Sequence, residues 1–225
     1  MGGVDDRVAE APRSPERIDL GEGASILLLV PEDALVVFET VDRNRGRLGP
    51  WLGWVDRTLG PEDTRAFIDL TISTQGREFA YGIYVGDSFV GAIGLHTDPE
   101  HRSAMIGYWI DEEHEGQGLV TKASRALTEV AFRDLAMHRV WLTADPKNTR
   151  SCAVAERLGF RLEGIRREDT YTDGQFRDTA LYAVLEDEWT ATAARALAGL
   201  RGPAKGSPRP RTRGRRPPGD RSRAG

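Results

Sequence analysis

Two stretches of this chain hold residues whose types and spacing can do chemistry. The first is Glu115-Gly116-Gln117-Gly118-Leu119-Val120-Thr121, the end of an acidic loop that opens into a helical pattern. Closely spaced glycines at a helix start let the main chain approach a ligand. The free N–H groups there, with the helix dipole behind them, bind phosphate. The run is not a dinucleotide fingerprint, because GxGxxG needs a third glycine where Thr121 stands. Nor is it a Walker loop, since Lys122 follows Gly118 too closely. Taken alone, the glycine pair reads equally as a tight strand-to-helix turn. The second stretch runs from Asn148 through Ser151 and Cys152 to Leu158-Gly159-Phe160. Asn148 can cap a helix that Gly159 closes. Cys152, flanked by Ala153 and Val154, reads as a core thiol.

The elements that must position these residues follow from periodicity. Ile26–Val30 is a short apolar run, a buried strand. Pro31-Glu32-Asp33 and Pro61-Glu62-Asp63 each open a helix, with Pro in the first turn and acids at the positive end of the dipole. Strands are expected at 79–85, 89–96 and 104–110, the first two joined by Gly86-Asp87. A helix from about 118 to 134, a strand at 139–144 and the helix after Asn148 come next. Residues 160–163 and 165–171 read as a strand that continues past Gly164, and Asp173-Gly174 turns into a last strand at 179–185. The Ala-rich segment 187–200 reads as helix. This is an α/β order with a largely antiparallel first half.

Composition bounds the rest. The 225 residues carry a net charge of −4 and one cysteine, which excludes a disulfide framework and a Cys-rich zinc site. The four histidines have no HExxH or HxH spacing, and no metal is expected. No apolar run nears the ~18 residues of a membrane helix, and the first residues lack a secretory pattern. The expectation is a soluble cytoplasmic protein with no membrane partner. Three segments are expected: a flexible arm at 1–25, one domain at 26–190, and an Ala-rich helix end with a basic tail at 191–225. Residues 201–225 hold nine Lys/Arg against one acid, net +8, and leave −12 for the rest. Such a tail suits a nucleic acid or an acidic partner, or serves only to solubilise the chain. The acidic body favours a cationic acceptor.

With these segments in hand, the chain resembles the GNAT superfamily of acyl-CoA N-acyltransferases. Within it, the chain looks most like the RimJ/RimL group that acetylates protein N-termini. The residues that carry the resemblance are Ile106-Gly107-Tyr108-Trp109-Ile110, the run from Glu115 to Ala123 and His138-Arg139-Val140. Asn148-x-x-Ser151 with Arg157-Leu158-Gly159-Phe160, and Tyr171 to Asp178, complete the set. It spans about 26–189, in the family's order. The resemblance implies a GNAT fold, a mixed central sheet splayed at its CoA-binding strand and flanked by helices. It implies acetyl-CoA as co-substrate and a primary amine as acceptor, foremost a protein N-terminus. A small-molecule amine is the alternative, and a non-catalytic binding module with an RNA-contacting tail is the alternative from another class.

The resemblance also implies roles. The backbone near Trp109 and Ile110 would pair with the pantetheine arm. N–H groups of Gly116, Gln117, Gly118, Leu119, Val120 and Thr121 would hold the pyrophosphate. Glu115 and Val120 depart from the family's usual residues, and a carboxylate beside phosphates would weaken binding. Asn148 would touch the CoA arm. Ser151 would protonate the departing thiolate. Many Rim-type members place a Glu before Ile-Gly-Tyr-Trp as base; this chain has Met105, which suits an apolar acceptor pocket. His96 is then the nearest candidate base, with Glu168 and Asp169 behind it. Trp51 and Trp54 would wall the acceptor cleft. The expected assembly is a monomer or a homodimer.

Overall fold

The structure, a computed structural model, describes residues 14–190. Eight strands form one sheet in the order β1-β2-β3-β4-β5-β6-β8-β7. The strands are β1 Arg17–Gly21, β2 Ala24–Leu28, β3 Glu78–Val85, β4 Ser88–Asp98, β5 Ser103–Ile110, β6 Arg139–Ala144, β7 Arg161–Thr172 and β8 Gln175–Leu185. The helices are α1 Ala34–Arg43, α2 Arg45–Leu48, α3 Pro61–Ser73, α4 Leu119–Arg133 and α5 Thr149–Arg157.

The sheet divides its helices between two faces, and each face has its own core. On one, Leu119, Ala123, Leu127 and Val130 of α4, Val154 of α5 and its C-cap Leu158 bury against Ile83, Ile93, Leu95, Val140 and Tyr182. On the other, Val37 and Val41 of α1 and Ile68 of α3 close over Ala80, Phe89 and Trp109. Period-two alternation along the strands feeds both cores at once. That is why β3 and β4 read as nearly continuous apolar runs.

Six of the seven strand pairings are antiparallel, and the parallel β5–β6 pair is the exception. Only Ser103–Arg139, Ala104–Val140 and Met105–Trp141 are in register there. Beyond Met105 and Trp141 the two strands part. β5 runs on to Ile110 against β4, and β6 runs on to Ala144 against β8. The sheet therefore carries the splay expected of it.

Two local expectations are corrected. The expected arm ends earlier than residue 25, because Arg17–Gly21 pairs with β2 through a Gly21-Glu22-Gly23 turn whose three residues all have positive φ. Ser14 and Pro15 are held too, by hydrogen bonds with the Tyr81 hydroxyl. The strand expected at 160–171 is β7, and it does continue past Gly164, with bulges at 162–164 and 166–170. β8 starts four residues before 179, because its first residues are held by the β7 ladder and not by burial. Of the helix expected at 187–200, residues 186–190 are helical and the remainder lies outside the described residues. So do residues 1–13 of the arm and the basic tail.

Candidate active site

The parting of β5 from β6 opens a cleft of about 1000 Å³. One of its walls is the loop from His114 to Thr121 together with the start of α5, from its N-cap Asn148 to Val154. Its other end is closed by Trp51 and Leu52, by Met105 and by Thr170, Thr172, Arg177 and Thr179 of the β7–β8 hairpin.

The glycine loop is built for close approach. Gly116 and Gly118 have φ of +74° and +77°, a region glycine enters without strain. A Cβ at either would meet nothing within 4 Å, so the main chain faces open space. Gly118 is the N-cap of α4, and no side chain caps that helix. The first-turn N–H groups are therefore free for an anion. The residues present fit a phosphate group through main chain alone. Gln117 does not line the cleft; its side-chain amide donates to the Glu113 carbonyl at 3.1 Å.

Strand β5 supplies a different pair of residues from the one expected. Asp111 N–H donates to the Val90 carbonyl at 2.8 Å. By the alternation of an antiparallel ladder, Trp109 and Gly107 then bond to β4, while Tyr108 and Ile110 turn their backbone groups to the gap. Trp109 is corrected accordingly. Its backbone belongs to the β4 pairing, and its buried ring meets Phe89 edge-on in the α1–α3 core. Ile110 does face the gap, where its carbonyl accepts a hydrogen bond from Arg47 of α2.

On α5, Asn148 is the N-cap, and its side chain accepts from Ser151 N–H at 3.2 Å. The Ser151 hydroxyl lies 2.8 Å from the Tyr108 hydroxyl, so a side chain of β5 spans the gap to α5. Burial pushes the Tyr108 phenol up to about 12, against the smaller opposing effect of the Ser151 hydrogen bond. It therefore stays protonated at neutral pH and can act as a donor. Cys152 is half-buried and packs against the α4–α5 core, as expected of a core thiol.

At the hairpin end, Trp51 lines the cleft, 38% exposed, with the Arg177 guanidinium 5.6 Å from its ring centre. Arg177 is ion-paired to Asp145 at 3.3 Å. Met105 lines the cleft as expected. Trp54 does not; it packs against the α1–α3 core. His96 lies next to Met105 in the β4–β5 register but outside the cleft, where its exposed ring pairs with Glu78. Glu168 is on a bulge with its N–H bound by Asp178, and Asp169 pairs with Arg166 at 3.2 Å; neither lines the cleft.

Sequence reasoning missed Arg47, Tyr108, Arg150 and Arg177. Tyr108 stood inside a quoted motif, and strand alternation places it on the gap side. Arg47 had no such signal, since α2 is a single turn without periodicity.

Among the described residues, no group of three or more His, Cys, Asp or Glu is placed to hold a metal ion. Among them, too, no helix is long and apolar enough to cross a membrane.

Comparison with known proteins agrees with the geometry. The chain belongs to the GNAT acetyltransferases: the family profile described as an acetyltransferase (GNAT) domain matches residues 26–161. YdaF of Bacillus subtilis, whose name assigns it provisionally to the ribosomal N-acetyltransferases, is 36% identical over 177 residues, 76% of this chain and 95% of that protein. The ribosomal-protein-serine acetyltransferase of Escherichia coli is 27% identical over 175 residues, 76% of this chain and 98% of its own length. Among solved structures, a RimL ribosomal L7/L12 α-N-protein acetyltransferase in complex with coenzyme A superposes with a TM-score of 0.74. It is 26% identical and covers 77% of this chain and 99% of its own. Within its family the chain is an acyl-CoA-dependent N-acetyltransferase of the RimJ/RimL type.

Proposed function

We propose that this enzyme moves an acetyl group from acetyl-CoA to the N-terminal α-amine of a protein, by direct attack with both substrates bound. The observation that carries the reading is the gap between β5 and β6, with a glycine loop at its mouth and a hydroxyl pair at its centre. The names of the relatives support a protein acceptor.

Acetyl-CoA brings the acetyl group as a thioester. The backbone of Tyr108 and Ile110 lines its pantetheine arm, and the N–H groups from Gly116 to Thr121 hold its pyrophosphate. Asn148 fixes the first turn of α5. The proton that the attacking amine loses on forming the amide passes to the departing thiolate through Ser151 Oγ. Tyr108 donates a hydrogen bond to Ser151 Oγ, so both hydroxyls end the step protonated. Trp51, Met105 and the threonines of the β7–β8 hairpin exclude water around the acceptor. No carboxylate replaces the family's Glu at Met105. The acceptor supplies its own answer, because an α-amine with pKa ~7.7–8.0 is partly neutral at pH 7.

Thermal unfolding with acetyl-CoA tests the reading. Ligand at a hundred times its dissociation constant adds about 2.7 kcal/mol to stability. Gly118→Glu puts a strained, negatively charged side chain into the loop and is expected to abolish that shift. An unchanged shift in the variant would remove the pyrophosphate from this loop. With binding secured, acetylation of peptides but not of polyamines or amino sugars is the expected outcome of an acceptor screen. The reverse pattern would make the enzyme a small-molecule acetyltransferase.

A further inference from the structure

Glu115 stands at the mouth of the proposed cofactor cleft, directly before the glycine loop. A bare carboxylate there would repel a pyrophosphate. Its surroundings give it another part. One carboxylate oxygen, Oε1, accepts from Arg47 Nη1, and the other, Oε2, accepts from Arg150 Nη1. The carboxylate is 19% exposed.

The two guanidinium groups are not equivalent. Arg47 is mostly buried, and its donors are largely spent: Nε and Nη2 reach Asn44 Oδ1, and Nη2 also reaches the Ile110 carbonyl. Asn44 is itself fixed, donating to the Thr40 carbonyl and to Asp111 at 2.9 Å each and accepting from Glu112 N–H. Arg150 is the opposite case. Its side chain is 79% exposed and lines the cleft, and among the described residues the Glu115 contact is the one side-chain bond that holds it. A guanidinium has five N–H donors, so four remain to turn toward the cleft.

We infer that Arg150 is a phosphate-binding residue for the cofactor and that Glu115 is the positioning residue that holds it at the glycine loop. The inference rests on the cofactor reading given above. Asn44 and Ile110 fix Arg47, Arg47 fixes Glu115, and Glu115 fixes Arg150. The carboxylate cancels one of two cations, so the triad presents a net positive charge beside the free N–H groups of α4. Holding a long exposed side chain in place also removes the entropy cost of ordering it when the ligand arrives.

Calorimetric binding of three ligands to the full chain tests this. Acetyl-CoA carries every phosphate, acetyl-dephospho-CoA lacks the 3′-phosphate, and S-acetylpantetheine has none. Arg150→Gln is expected to weaken acetyl-CoA and acetyl-dephospho-CoA about tenfold or more and to leave S-acetylpantetheine unchanged, since a charged hydrogen bond is lost. Arg150→Lys is expected to recover part of the loss. The sign of Glu115→Gln decides the role of the carboxylate. Weaker acetyl-CoA binding, with S-acetylpantetheine unchanged, supports positioning. Tighter binding would make Glu115 a repulsive charge and overturn the inference. So would equal loss on all three ligands in Arg150→Gln, which would mean a distorted cleft, or no loss on any. A wild-type protein that binds none of the three would overturn the cofactor reading and this inference with it.

Discussion

At the scale of single residues, the hydroxyl pair Tyr108–Ser151 is the most chemically pointed feature of the cleft. Burial holds the phenol near 12, so Tyr108 keeps its proton throughout pH 6–9 and contributes no ionisation to the rate in that range. The pH dependence is then left to the acceptor amine, and kcat/KM is expected to rise with one ionisation between pH 7 and 8. Tyr108→Phe is expected to lower kcat about tenfold, the worth of one hydrogen bond, with the dissociation constant of acetyl-CoA unchanged. Ser151→Ala is expected to cost more, and the double variant no more than Ser151→Ala alone. Additive losses in steady-state kinetics would mean that the two hydroxyls act separately. Some of this site was legible in the residues and some was not. The glycines at 116 and 118 and Asn148 announced themselves by type and position. His96 misled because neighbouring register was taken for neighbouring function. One residue along a strand or one strand across decides whether a side chain meets the cleft, and only the register shows that.

At the scale of elements, β5 works only because β4 holds it at the correct depth. Gly91 lies opposite Ile110, and a Cβ there would meet the Trp109 carbonyl oxygen at 2.5 Å and Ile110 Cα at 2.9 Å. Both are main-chain atoms and cannot turn aside. Gly91→Ala is expected to destabilise the fold by about 1–3 kcal/mol, as overpacking does, and to weaken acetyl-CoA binding by moving β5. A melt and a titration on the same sample check both. The loop after β5 is anchored by Asp111, which is buried. Burial raises its pKa, but the hydrogen bonds from Arg43 and Asn44 outweigh that and hold it below the ordinary value. A depressed carboxylate stabilises the fold above its unfolded pKa, and that contribution fades as pH falls through the folded value. Asp111→Asn is expected to cost about 1–3 kcal/mol at pH 7. Its deficit relative to wild type should shrink toward pH 2 in urea unfolding curves. The elements the sequence revealed were those with a period to read: α1, α3, α4, β3 to β6. Strand β1 escaped because Arg17, Asp19 and the glycines around Glu22 outnumber its two apolar residues. The first residues of β8, from Gln175 to Asp178, escaped because they are held by backbone pairing away from any core.

At the scale of the whole molecule, two half-sheets meet along three residue pairs and under α4. Both the glycine loop and α5 are carried on that junction, so ligand binding and global stability are coupled through it. Among the described residues, those lining the cleft fall between Arg47 and Thr179. Removal of residues 201–225, with their net charge of +8, is therefore expected to leave the thermal shift with acetyl-CoA unchanged. A lost shift would give the tail a share in the site. The sequence exposed the charge asymmetry between body and tail but gave no account of a partner for it. Composition records charge without recording where it is presented.

The gap between β5 and β6 has one more consequence, for the fate of the chain in a crowded cell. It is a strand's width of unpaired main chain set inside a sheet, and open edges of this kind recruit extended segments of other chains. Arg47, seated on the Ile110 carbonyl, blocks part of that edge. The rest is left for the co-substrate to cover. Heated without ligand, the protein should precipitate earlier than its unfolding midpoint alone would dictate. With acetyl-CoA present, light scattering should be delayed by more than the gain in that midpoint. Cofactor supply would then govern how long the enzyme lasts as well as how fast it turns over.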